Sequence, residues 1–289
     1  MNKFFPPLVA LLFIATSTIA QKDTLITVNQ DTIKFGNFQI VKSHESHGQN
    51  QWQTKMDKSD WGNTQIKIER IAKPKADVNT KWFVFDLGFA NYVDVTNYKT
   101  NTEFTHPSVG APMTSKSFKL NNGKSSNVNF WLVQQKMNLY QHQWNLKYGV
   151  GVEMYNFRFE QPISFRNTGN SIVYLDSKAF KKDKLFVEYL TVPVQLNYQP
   201  HPEKKKSFYA STGLSVGYLI GSRNKQISEY KEKYNGNFNL NDWQVAGIGE
   251  IGIGGIRLYA SASVTNIYDN KLTKLYAYPF ALGVRFSHF

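Results

Sequence analysis

Every second residue from Tyr276 to Phe286 is large and apolar: Tyr276, Tyr278, Phe280, Leu282, Val284, Phe286. The alternate file, Ala277, Pro279, Ala281, Gly283, Arg285 and Ser287, is small or polar. A period of two is a strand with different environments on its two faces. A soluble sheet turns its apolar face inward. An aromatic-ended apolar file opposite a small, polar one fits the reverse order of a membrane barrel, apolar out and small-polar in. The alternation recurs upstream. Phe83, Phe85, Leu87 and Phe89 oppose Val84, Asp86, Gly88 and Ala90. Trp144, Leu146, Tyr148, Val150, Val152 and Met154 oppose Asn145, Lys147, Gly149, Gly151 and Glu153. Leu190 to Tyr198, Phe208 to Ile220, Trp243 to Ile253 and Ile256 to Thr265 repeat the pattern. Around Val128 to Leu139 the parity breaks, because Phe130, Trp131, Leu132 and Val133 are consecutive, and a β-bulge is expected there. Pro193 and Pro279 interrupt two strands and call for edge, bulge or rim positions.

This predicts an all-β fold: an eight-stranded antiparallel transmembrane up-and-down β-barrel with a short N-terminal periplasmic segment. Strands of about ten residues suit a tilted crossing of the hydrocarbon layer. The connections run long, short, long, short, long, very short (Gly254-Gly255), medium, as a barrel with long loops on one side requires. The segments Glu160 to Lys184 and Gly221 to Asp242 are polar and are expected as loops, the latter with a turn at Asn235-Gly236.

Upstream of the barrel the pattern changes. Lys3, the apolar run Leu8 to Ile14 and Thr18-Ile19-Ala20 make residues 1–20 a signal peptide with cleavage before Gln21. Residues 21–79 are expected as a periplasmic arm or small β module with a linker at Lys73-Pro74-Lys75, with short strands at Asp23 to Val28, Thr32 to Phe35 and Ile66 to Ile71. The barrel takes 80–289.

Composition narrows the chemistry. The absence of cysteine excludes disulfides, thiolate metal sites and a lipid-anchored Cys. A mean hydropathy of −0.43 is too low for a helical membrane protein but ordinary for a barrel. The net charge of +13 fits a solvated basic surface or attraction to an anionic one such as lipopolysaccharide, and nucleic acid is not expected for an exported chain. The lumen-facing file carries Asp86, Lys147, Glu153, Glu250, Arg257 and Arg285. An eight-stranded interior is filled by side chains, so opposite charges on neighbouring strands are expected to pair, Arg285 meeting Asp86 where the last strand closes on the first and Glu250 lying beside Arg257 on strands six and seven. A proton or ion path is the alternative. Of the six histidines, His44, His47, His106, His142 and His201 are expected in the arm, loops or turns, and His288 beside Ser287 on the last strand. They form no nucleophile–base constellation and no metal motif in sequence, so no catalytic, cofactor or metal site is assigned. Lys178, Lys181, Lys182 and Lys184 cluster in one loop, and Arg223, Lys225, Lys231 and Lys233 in the next.

Trp82-Phe83-Val84-Phe85-Asp86-Leu87-Gly88-Phe89 with Asn91-Tyr92, Tyr189-Leu190-Thr191-Val192-Pro193-Val194-Gln195-Leu196, and the glycine-rich Thr212 to Gly221 resemble strands of the Bacteroidetes outer-membrane β-barrel proteins, the PorT-like group. The resemblance covers about Trp82 to Phe289. It implies an outer-membrane location, with some relatives assisting secretion or gliding, and carries no catalytic residues. Gly283, Phe286 and Phe289 resemble the C-terminal signal read by the barrel-assembly machinery, with His288 where a second aromatic is expected. The function expected is a non-enzymatic outer-membrane barrel, structural or partner-binding, its lumen plugged by side chains. An outer-membrane lipid-modifying enzyme and a small pore are the alternatives.

Overall fold

The computed structural model describes residues 76–99, 113–168, 170–204 and 206–286, together with four strands nearer the N-terminus. The chain divides into two compact units, residues 1–75 and 76–289. In the first, β1 (Val28–Asn29), β2 (Thr32–Phe35), β3 (Phe38–His44) and β4 (Thr64–Arg70) pair in order as an antiparallel meander. Strand β3 was not expected from the sequence. The signal-peptide segment and the linker lie outside the described residues.

The second unit is a closed eight-stranded antiparallel barrel. Its staves are β5 (Val78–Asp94), β6 (Ser126–Tyr140), β7 (Trp144–Arg158), β10 (Lys182–Tyr198), β11 (Phe208–Ile227), β13 (Trp243–Ile253), β14 (Ile256–Ser263) and β15 (Ala277–Phe286). Each pairs with its sequence neighbour, and β15 closes on β5 through the register Gly283↔Gly88 and Arg285↔Asp86. Short turns at 141–143, 199–207 and 254–255 gather at the end that also holds the start of β5 and the end of β15. The four longer connections gather at the other end. Gln141 and His142 both have positive φ, 49° and 56°, giving the primed geometry that joins two twisted strands tightly.

Burial alternates along each stave as the sequence pattern requires. In β7, Asn145, Lys147, Gly149, Gly151 and Glu153 are buried, while Trp144 and its even-numbered companions lie outside. Trp144–Tyr198 (4.7 Å between ring centroids) and Tyr218–Trp243 (5.0 Å) pair outside the barrel near its two ends, as interfacial aromatics do. The bulge expected near Phe130–Val133 is at Leu132: Trp131 opposes Gly151 but Val133 opposes Val150. This extra residue reverses parity, so Asn127, Asn129 and Trp131 face inward below it in number and Gln134 faces inward above it. A second bulge, at Ile220, has Glu188 opposite Gly221 and Tyr189 opposite Leu219.

Two sequence expectations are corrected. Pro193 is neither at an edge nor at the rim. It lies mid-strand and lumen-facing, paired with Ser215 on β11, where the ladder to β7 lapses between Thr191 and Val194. A local gap in one ladder accommodates the missing N–H. Pro279, third in β15, lies beyond the β14 ladder, which ends at Phe280. The polar segments are also not simply loops. Residues 163–175 form a hairpin, β8 (Ile163–Thr168) and β9 (Asn170–Leu175). β10 starts at Lys182, and β11 runs to Ile227 and turns at 228–230 into β12 (Lys231–Asn235), so Asn235-Gly236 ends that strand and is not its turn.

The polarity of the wall inverts along these extended staves. In β10, Leu190, Val192, Val194 and Leu196 point outward; toward the long-loop end Leu185, Val187 and Tyr189 are buried inside and Lys182, Lys184 and Glu188 point outward. In β7, Val152 and Met154 outside give way to Tyr155 and Phe157 inside. An inside-out barrel thus becomes an ordinary apolar-in sheet above a definite level. That level is the edge of the hydrocarbon band.

Candidate functional site in the barrel lumen

Two layers fill the lumen. Toward the short-turn end is a charge network built from the small-polar file. Arg285 donates through Nε to Asp86 Oδ1 and through Nη2 to Asp86 Oδ2, both at 2.6 Å, and its Nη1 reaches Glu250 Oε1. Asp86 also accepts from Trp131 Nε1 at 2.7 Å and Asn129 Nδ2 at 3.2 Å. Lys147, on β7, crosses the lumen to Glu250, on β13, at 2.7 and 2.8 Å. Tyr209 donates to the same carboxylate at 3.3 Å. Arg257 lies 4.0 Å above the Tyr209 ring centroid, and the Arg285 guanidinium 5.2 Å from the Trp131 ring. Glu153 accepts from Thr191 Oγ1 at 3.2 Å and Tyr155 O–H at 3.3 Å. All six charged side chains are buried, three acidic and three basic, so the layer is formally neutral.

The register explains much of this. Arg285 and Asp86 are directly opposite across the closing seam. Glu250 instead meets cations from β7 and β15, neither of which is its neighbour. The barrel is narrow enough that charges cross it, a contact that reasoning from adjacent strands does not find. Trp131, Tyr209 and Tyr259 were also not singled out in sequence. Their signal is a large aromatic set opposite glycine. A Cβ on Gly283 would lie 2.7 Å from Tyr259 Cε1, and one on Gly88 would lie 2.6 Å from the Tyr259 hydroxyl. The Tyr259 ring therefore beds on the Gly88–Gly283 pair, and its O–H reaches Asn127 Oδ1 at 2.6 Å. Gly283, noted in sequence for its C-terminal position, thus also shapes the lumen. Phe286 is exposed on the lipid-facing side. Phe289 and His288 lie outside the described residues.

Toward the long-loop end the lumen is apolar. Tyr155, Phe157, Leu185, Val187 and Tyr189 from the wall join Phe118 and Leu120, Phe159, Ile163 and Phe165, Phe238 and Leu240, and Ile267, Tyr268 and Leu275 from the four long connections in one buried cluster. The β8–β9 hairpin is held on the inner face of the extended sheet by Phe165 N–H to Asn224 and by Arg166 to Asn224 and Gln226. Within the ionic layer, the void bounded by Trp131, Glu153, Gln195, Glu250 and Arg285 measures about 20 Å³, room for about one water. A wider vestibule of about 210 Å³ opens at the short-turn end beside Gln199, Ser207, Tyr209 and Arg257.

The described histidines are at the short-turn end. His142 sits in the first tight turn, 4.0 Å from Asp77, and His201 is 3.4 Å from Glu203. The remaining four fall outside the described side chains. Among the described residues no cluster of three metal-ligating side chains occurs.

A family model for the outer membrane protein beta-barrel domain matches residues 79–274, more than half of the chain and nearly all of the barrel. The chain belongs to that family. Its membership fixes the setting of the geometry: the outward apolar belt faces outer-membrane lipid, and the buried charges line the lumen of an outer-membrane barrel. Neither the curated proteins nor the solved structures contain a match.

Proposed function

We propose that this outer-membrane barrel is a non-enzymatic structural or partner-binding protein whose lumen is plugged. The observation that carries the reading is the two-layer filling. A neutral ionic layer leaves a void of about 20 Å³, and an apolar lid drawn from all four long connections stands above it. A water-filled pore has no use for a buried apolar cluster across its mouth. The chain is exported by residues 1–20, with both barrel ends periplasmic and the long connections outside. Short turns at the end holding both termini support that orientation. Within the family we assign the chain to the Bacteroidetes PorT-like group on Trp82 to Tyr92, Tyr189 to Leu196 and Thr212 to Gly221, with the barrel-assembly machinery acting on its C-terminal strand. The test is liposome swelling in a small sugar. Plugged barrels leave the rate at that of empty vesicles, and size-dependent swelling rejects the plug. The non-enzymatic part is tested by His106→Ala and His142→Ala. Unchanged lipid A in cells expressing either variant is expected, whereas loss of a lipid modification present with the wild type overturns it.

A further inference from the structure

Above the level where wall polarity inverts, the outward face of the sheet carries a row of cations. Arg158 on β7 is directly opposite Lys184 on β10, Lys184 is opposite Lys225 on β11, and Lys225 is opposite Lys233 on β12. Four adjacent strands thus present like charge at one register. One step toward the lipid belt, Phe186 is opposite Arg223; one step away, Lys231 is opposite Ile227. Like charges directly opposite one another on a sheet repel, and among the described residues none of the four side chains in the row forms a salt bridge. Burial, then the charges of Lys182, Lys225, Arg223 and Arg158, pull Lys184 down to about 8. Lys225 is lowered too, by desolvation and then by Lys231, Lys182, Lys233 and Arg223. The acidic residue of this outward file is Glu188, nearer the lipid belt.

Two further observations point to a ligand. Arg223 Nε is shielded from solvent and has no hydrogen-bond partner. The Arg223 guanidinium and the Lys184 ammonium flank the Phe186 ring, 5.2 and 5.8 Å from its centroid, so an apolar ring sits among cations on the outside of the wall. The row is also continuous with the lipid-facing file of the same strands, beginning at Leu190. Four to six residues at 3.3 Å each, on staves tilted by about 40°, put it roughly 10–15 Å above the hydrocarbon edge. That is the height of a phosphorylated sugar head group.

We infer that the outward face of β7, β10, β11 and β12 binds the phosphate groups of the outer-leaflet glycolipid, with Arg158, Lys184, Arg223, Lys225 and Lys233 as its ligands and Phe186 against the sugar rings. Guanidinium and ammonium donors are the side chains suited to phosphate, and a bound phosphate offsets the repulsion that the row otherwise carries. The inference rests on the long-loop end facing outward. A cysteine introduced at Ser228, in a chain that has none of its own, tests that separately: labelling in intact cells supports the orientation, and labelling only after lysis rejects it.

The binding test uses the full-length protein in phosphatidylcholine nanodiscs, titrated with bisphosphorylated lipid A or its dephosphorylated form. The triple variant K184Q/K225Q/K233Q is expected to bind bisphosphorylated lipid A on the order of a hundredfold more weakly, from the loss of three surface cations. The control K204Q/K206Q, at the opposite end, stays near wild type. Wild-type binding weakens similarly when the phosphates are removed, and falls with salt. Heat-modifiable migration reports folding, and Lys225→Gln alone gives the same direction should the triple variant not fold. Wild-type affinity in the folded triple variant, equal binding of dephosphorylated lipid, or preference for soluble polyphosphate or an acidic peptide over lipid A would overturn the inference.

Discussion

Arg285→Met gives the sharpest test of how dry the ionic layer is. Arg285 joins two of the three carboxylates of the layer, with two 2.6 Å bonds to Asp86 and a third contact to Glu250. Methionine keeps an unbranched chain that fits the space but removes the charge and every donor. Asp86 is left with Trp131 and Asn129, and Glu250 with Lys147 and Tyr209. Removing one member of a buried, hydrogen-bonded ion pair costs about 3–5 kcal/mol, because the remaining charge stays desolvated. Were the lumen a water channel, the same substitution would fall on the scale of exposed pairs, about 0–1 kcal/mol. Urea unfolding of the barrel in lipid vesicles, followed by tryptophan fluorescence and gel migration, separates the two. A cycle with Asp86→Asn adds a second criterion. Because that substitution removes the orphaned charge, the double variant should be at least about 1.5 kcal/mol more stable than the sum of the single losses implies. A loss under about 1 kcal/mol for Arg285→Met, or strict additivity, would refute the argument that this layer is dry and coupled.

Three further outcomes are expected. Deleting Leu132 removes the extra residue while Trp131 stays inward opposite Gly151, Val133 outward opposite Val150 and Gln134 inward opposite Gly149, so outer-membrane yield should stay near wild type; failure of that deletion to assemble would contradict the parity described. Gly283→Ala meets the Leu87 carbonyl and the Tyr259 ring. It should cost about 1–3 kcal/mol, only partly relieved by Tyr259→Ala, and a neutral Gly283→Ala would contradict the packing described. Asp183 lies in the lid under the cationic face, where burial, against donors from Asn224 and Gln226, pushes its carboxyl up to about 7. A folded value above the unfolded one means that its stabilisation is full below about pH 4 and is lost as pH rises through 7. Asp183→Asn should flatten thermal stability between pH 5 and 8 by about 2–4 kcal/mol, and an unchanged pH profile would contradict the burial argument.

The staves were legible because lipid outside and side chains inside impose a strict period of two, visible in Leu190 to Tyr198 and Tyr276 to Phe286 without any structure. The seam contact of Arg285 with Asp86 follows from closing strand eight on strand one. The bulge at Leu132 announced itself as four consecutive apolar residues. The one at Ile220 did not, because Leu219 and Ile220 end a predicted strand. The extended sheet was read as loop for a physical reason. Between Lys184 and Leu190 the apolar file changes sides, so Leu185, Val187 and Tyr189 are out of phase with Leu190, Val192 and Val194, and the alternation dissolves at the point where the strand leaves the hydrocarbon. For the same reason the lysines appeared as two loop clusters in sequence, and only the pairing of β10, β11 and β12 aligns them. The Lys147–Glu250 contact depends on barrel diameter, which no local pattern encodes.

Single-channel recording of the wild-type barrel in a planar bilayer bears most directly on the plugged lumen. An ionic layer around a void of about 20 Å³, beneath an apolar lid, predicts no steady conductance across the physiological voltage range. It also predicts that opening the ionic layer alone, by truncating Tyr209, Trp131 and Arg285 together, leaves the barrel closed, because the apolar lid remains above that layer. A stable open state of porin size in the wild type would contradict it.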